Sequence, residues 1–171
     1  GAGNYSAFTN EWINTDLPQF DITNASHWEF IFGNVKISNL FAEHVFEHLT
    51  KEQIIMALTL AHKYMSDTGV FRIAIPDRNN KDSLYQEATR PGGTGPGADD
   101  HKVFLNIHDC EELAKATSFR ILPLEYFDND SSFHFVDFDS DKGDVTRSRK
   151  NNYRYEPVPK YTSLIFDLVL K

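Results

Sequence analysis

Glu43-His44 and then Glu47-His48 set carboxylates and imidazoles in one short stretch. Such groups can take a proton, contact a polar substrate or ligate a metal. Asp99-Asp100-His101 is a second polar constellation, suited to holding a divalent ion or to general-base work. It closes a Gly/Pro-rich run, Arg90-Pro91-Gly92-Gly93-Thr94-Gly95-Pro96-Gly97. Loops as long as residues 78–102 are uncommon without a function, and glycines give turns and mobility, so a lid over a substrate is expected there. His101 is the side chain expected to be chemical. The single cysteine, Cys110, stands beside Glu111 and Glu112, which disfavour a thiolate, and reads as buried or inert.

The elements that must carry these residues follow from periodicity. Asn39-Leu40-Phe41-Ala42 is short, apolar and β-compatible. Thr50-Lys51-Glu52-Gln53 is a capping box, after which Ile54, Leu58, Ala61 and Met65 recur at helical spacing. Gly69 is placed to end that helix left-handed. Val70 to Ile75 reads as a second strand, closed by Pro76-Asp77. Strand, helix and strand make a βαβ unit with parallel strands and a right-handed crossover. Ligands of such sheets sit beyond the carboxyl ends of the strands, which places Glu43, His44 and the loop after Asp77 around one cleft. Residues 12–16 and 20–23 read as short strands, residues 27–32 as a helical turn and residues 109–117 as a helix capped by Asp109. Residues 119–126, 132–138 and 161–170 read as strands, with a charged loop over 139–154. The aromatic residues Tyr126, Phe127, Phe133, Phe135 and Phe138 read as core.

Residues 39–77 resemble the fourth and fifth strands of a Rossmann-like, S-adenosylmethionine-dependent methyltransferase of the first structural class. In that family a Glu-His-Val-x-Glu-His-like stretch ends the fourth strand, and a Pro-Gly-Gly-like turn, here Asp67-Thr68-Gly69, precedes the fifth. Gly1-Ala2-Gly3 resembles the tail of the family's Gly-x-Gly loop, where bare backbone lets the cofactor approach. Residues 12–16 resemble its second strand, so Asp16 is implied to accept from the ribose hydroxyls, and Asp21-Ile22 resembles the pair near the adenine. The Gly-Thr-Gly-Pro-Gly-Ala-Asp-Asp-His-Lys segment resembles a predicted, largely uncharacterised subgroup. The resemblance implies a single α/β domain over residues 1–171. Its sheet is three-layered and mostly parallel, with an antiparallel C-terminal strand pair and the first strand missing. It implies S-adenosylmethionine as cofactor, bound by Gly1, Gly3, Asp16 and Asp21. Glu43, His44 and His101 are implied as catalytic residues, and Asp77, Asp99 and Asp100 as substrate contacts. The acceptor is expected to be a small molecule or carbohydrate-like. Methyl transfer asks for positioning more than for a dyad, because the sulfonium carries its own reactivity.

Loss of the first strand opens a gap of roughly 9–10 Å, with unpaired edges on both sides. Direct pairing of strands two and four, a strand donated by a neighbouring chain, or a truncated gene product would each account for it. A homodimer through the vacated edge is the resulting expectation. A non-catalytic methyltransferase-fold binding module is the alternative function. A more distant one comes from His44-x-x-Glu47-His48, which matches the inverted zinc-protease pattern. On a helix His44 and His48 would share a face and Glu47 could activate a zinc-bound water. The residues before it are strand-like, however, and a third ligand is needed, so no metal ligand is assigned.

The whole chain sets the outer limits. Its 171 residues suffice for one domain, and 40% of them are hydrophobic. A net charge of −8 argues against a nucleic-acid backbone as the main partner. Without a membrane-length apolar run or a signal peptide, and with one cysteine, a cytoplasmic location is expected.

Overall fold

A computed structural model of the chain describes residues 12–151 and 162–171. The unit at the centre of the sequence forms as its periodicity dictates. Strand β1 (Ile37–Glu43) leads through a 3-10 turn, Phe46–His48, into helix α2 (Lys51–Tyr64), which returns as strand β2 (Met65–Ile75). The capping box is closed in both directions: the Thr50 amide donates to Gln53 Oε1 at 2.9 Å and the Gln53 amide to Thr50 Oγ1 at 3.3 Å. β1 and β2 pair in parallel, with Leu40 opposite Phe71 and Glu43 opposite Ala74.

The remaining elements are α1 (Ala25–Phe32), α3 (Ser83–Thr89), α4 (Ile107–Ala116), β3 (Phe119–Phe127), β4 (Phe133–Phe135) and β5 (Leu164–Leu170). The sheet order is β1-β2-β5-β3-β4. β5 inserts between β2 and β3 and runs antiparallel to both, and β4 is antiparallel to β3. Among the described residues, β1–β2 is therefore the one parallel pair. The mostly parallel sheet expected from sequence is corrected: β1, β2 and β3 share a direction, but an opposed strand separates the last two.

Three-layering is corrected too. One sheet face is covered by helices, with Trp28 of α1, Ile54, Leu58 and Ala61 of α2, and Ile107, Cys110 and Ala114 of α4 packed on Phe71, Ile73, Phe166 and Leu168. The other face carries Ala74, Leu124 and Ile165 and, among the described residues, is covered by Val145 and Phe138 of a largely irregular segment, not by α-helices.

Several boundaries moved. Gly69 does not end α2; it lies inside β2, in a stretch where the register slips between Ile37↔Met65 and Asn39↔Val70. A Cβ there would meet the Ile37 carbonyl at 3.0 Å, so the glycine serves close approach of two backbones rather than a left-handed cap. Residues 12–16 form no strand, and residues 20–23 form a turn. α4 is capped by Asn106, whose side chain accepts from the Asp109 amide while Asp109 reaches back; Asp109 is thus the far member of the box, not its cap. The expected strand over residues 132–138 contracts to Phe133–Phe135.

A buried ion pair ties the far face together. Arg72, in the middle of β2, donates through Nε and Nη2 to the two carboxylate oxygens of Asp167, directly across on β5, at 2.8 and 2.9 Å. Its Nη1 donates to the carbonyls of Asp139 and Gly143, and its guanidinium lies over the Phe138 ring. The arginine is satisfied on every side by the loop that buries it, which is the condition for a charge to be tolerated there. Replacing Arg72 with alanine leaves Asp167 buried without its partner, and a loss of about 3–5 kcal/mol is expected in denaturant unfolding. The double change R72M/D167L, which removes both charges, should recover most of that loss.

Candidate functional site

β1 ends on Glu43, and the next residue turns the chain sharply. His44 takes φ 54°, a region costly for a residue with a Cβ, while its amide donates to Ala74 of β2 at 2.9 Å. The kink sends neighbouring side chains in different directions. Glu43 accepts from the amides of Thr146 and Arg147 at 3.0 and 2.8 Å, so both carboxylate oxygens hold the 144–151 segment. His44 Nε2 lies 3.0 Å from Ser163 Oγ, and its Nδ1 lies 2.8 Å from Glu47 Oε1.

The glycine-rich segment is folded and self-capped, which corrects the expected lid. Asp82 caps α3 by accepting from Leu84 and Tyr85, and Tyr85 Oη in turn receives the Asp77 amide. The chain then doubles back onto the end of α3, where the Thr94 amide reaches the Glu87 carbonyl and the Gly95 amide the Ala88 carbonyl. Side chains at Gly93 or Gly95 would run into those carbonyls at 2.4 and 2.5 Å, which explains the glycines by close packing rather than mobility. The segment ends where the Lys102 amide donates to the Glu47 carbonyl at 2.7 Å.

That last bond brings the two polar constellations together. His48 and His101 meet edge to face with ring centroids 4.8 Å apart. One donor atom from each of Glu47, His48 and His101 lies within 4.8 Å of the others. Asp100 stands 3.3 Å from His48 Nδ1 and pairs with Lys102, whose hydrogen bond holds the Asp100 carboxyl below its ordinary range. Asp99, beside it, is exposed. The zinc-protease geometry is not met. His44 sits at a kink, and Glu47 and His48 lie in a 3-10 turn, so His44 and His48 do not share a face of a helix.

The other expected residues lie elsewhere. Asp77 is fully buried at the end of β2, accepting from the amides of Asn79 and Phe127 at 2.9 and 2.8 Å, and so braces β2 to the end of β3. Asp16 Oδ1 receives the Leu17 amide, and Asp21 Oδ1 receives the amide and hydroxyl of Thr23. Both acids thus organise turns. Gly1 and Gly3 lie outside the described residues. Two residues that sequence reading passed over prove central, Arg72 and Glu125, while Glu47, read from sequence only as part of the zinc-protease pattern, is buried beside His44. Glu125 is buried and accepts from the Arg149 amide and Thr162 Oγ1, and burial raises its carboxyl above the ordinary range. A lone arginine inside an otherwise apolar strand was the available signal for Arg72. Cys110 is buried, and burial pushes its thiol well up, as its inert reading requires.

No protein-family model matches the chain, and no curated protein matches it significantly. Among solved structures, a SAM-dependent methyltransferase from Archaeoglobus fulgidus aligns with TM-score 0.47 and 16% identity over 85% of this chain. The chain spans 63% of the length of that structure. Among the described residues, no helix is long and apolar enough to cross a membrane.

Burial raises the Asp77 carboxyl from 3.8 to about 6, against the pull of its two amide bonds. The folded state therefore binds this proton more tightly than the unfolded chain. Its contribution to stability falls as pH rises from about 4 to about 6 and is level above, by about 3 kcal/mol in all. Urea unfolding across that range should show stability falling more steeply with pH in the wild type than in Asp77→Asn.

Proposed function

We propose that the chain is an S-adenosylmethionine-dependent methyltransferase acting on a small-molecule or carbohydrate-like acceptor. The observation that carries this reading is the parallel β1–α2–β2 unit, whose residues bear the resemblance, with a polar cluster just beyond its carboxyl end. When bound, the cofactor supplies a sulfonium methyl that reacts by in-line displacement. The described residues are compatible with such a ligand on the Asp21 side: Oδ1 is taken up by Thr23, leaving Oδ2 to accept from a hydroxyl or amine, and Ile22 beside it is a partly buried apolar surface. Asp16 would accept from the ribose, with Gly1 and Gly3 at the methionine end.

On the acceptor side, His44 and His101 would be the groups that touch substrate, with Asp99 and Asp100 at the rim. The Thr89 carbonyl 2.7 Å from His101 Nδ1 can only accept, so Nδ1 carries the proton and Nε2 keeps the lone pair. Glu43 and Asp77 would act at one remove, by fixing the loops around the cleft. β1 has no strand on its outer side among the described residues, and that is where a second copy would pair to form a dimer. Sedimentation as a monomer at high concentration would reject that part.

The commitment of both Glu43 and Asp77 to backbone amides favours a second reading, a binding module without catalysis. Titration calorimetry with S-adenosylmethionine and S-adenosylhomocysteine separates the two. Micromolar affinity is expected; absence of heat at millimolar ligand would remove the enzymatic reading.

A further inference from the structure

We infer that Glu47, His48 and His101 form a binding site for a first-row divalent transition ion such as zinc. The inference stands on the side chains alone and holds whether or not the chain transfers methyl groups. Glu47 is 2% exposed, and neither of its carboxylate oxygens has a hydrogen-bond partner. Its contact with His44 Nδ1 is close at 2.8 Å but is not directed as a hydrogen bond. A carboxylate withdrawn from water without donors is costly, and a cation is what offsets that cost.

The two imidazoles are oriented for the same task. The Thr89 carbonyl takes the proton of His101 Nδ1, and the Asp100 carboxylate stands beside His48 Nδ1. Each ring is thereby set to carry its proton on Nδ1 and offer Nε2. This is the arrangement in which an outer carbonyl or carboxylate fixes the tautomer and raises the basicity of a metal-binding histidine. The backbone supports it, because the amides of Lys102 and Val103 both donate to the Glu47 carbonyl and hold the segment bearing His101 against the turn bearing His48.

The donor set is one carboxylate and two imidazoles, which suits zinc, cobalt, iron(II) or manganese better than calcium. The donor atoms lie within 4.8 Å of one another, whereas a tetrahedral zinc site brings them to about 3.4 Å. Rotation of the two part-exposed imidazoles supplies that closure. Three protein ligands leave further positions for water or for an oxygen of a bound molecule. His44, against the carboxylate from the other side, stays outside the ligand set and would turn its Nδ1 proton toward Glu47.

The test uses tag-free protein stripped with chelator, titrated with zinc by calorimetry and with cobalt(II) by its visible absorption. One equivalent should bind, with cobalt bands indicating low coordination. E47Q, H48A and H101A should each weaken binding about tenfold or more, while the surface variants H108A and H134A bind as wild type. Circular dichroism in the absence of metal establishes that each variant is folded. Should E47Q fail to fold, H48A and H101A, at part-exposed positions, carry the test. Absence of saturable one-equivalent binding, or equal affinity in wild type and both histidine variants, would overturn the site. Calorimetry with S-adenosylmethionine on the metal-free protein reads the cofactor proposal separately.

Discussion

The ion pair between Arg72 and Asp167 is the constraint on which the rest of the molecule rests. It joins the centres of two neighbouring antiparallel strands, and its remaining donor holds the carbonyls of Asp139 and Gly143. A guanidinium inside a sheet can exist only if something shields it and uses its protons. The irregular segment does both, and in doing so becomes the second layer of the fold. Where a helix would have covered the far face with apolar contacts, this chain covers it with a loop fixed by charge.

The same exchange recurs along the carboxyl end of the sheet. Glu43 at the end of β1, Glu125 near the end of β3 and Asp77 after β2 each accept hydrogen bonds from backbone amides of loop or turn segments, Asp77 also from the end of β3. Buried amides need partners, and a loop without a ladder must find them in side chains. Acids that would read as catalytic in an open cleft are here spent on holding loops in place. Glu47 is the exception: it is as buried as the others yet lacks their donors. That difference sets it apart from Glu43, Glu125 and Asp77.

The kink at His44 connects the two patterns. By leaving the strand with positive φ, the chain places Glu43 under the 144–151 segment and Glu47 and His48 toward the glycine-rich segment. The positive φ of one residue thus separates the carboxylate that holds the 144–151 segment from the side chains that meet the glycine-rich segment.

The sequence by itself determined what depends on near neighbours. The Thr50–Gln53 capping box, the apolar spacing of α2 and the β-branched and aromatic run of β2 settle their own conformations, and they suffice for a parallel unit. The buried, inert character of Cys110 was also legible, from the acids beside it. What only the tertiary structure decided is every pairing across distance. β5 enters between β2 and β3, where Asp167 meets Arg72, and no local pattern announces that pairing. Gly93 and Gly95 looked like mobility until the carbonyls they pass were in place. Asp16 and Asp21 followed strand-like residues, yet each uses one carboxylate oxygen to organise its own turn. His101 joins His48 through the hydrogen bonds of the Lys102 and Val103 amides to the Glu47 carbonyl, formed between residues far apart in the chain. A side chain's role is set by which donors reach it, and that is fixed only when the chain has closed on itself.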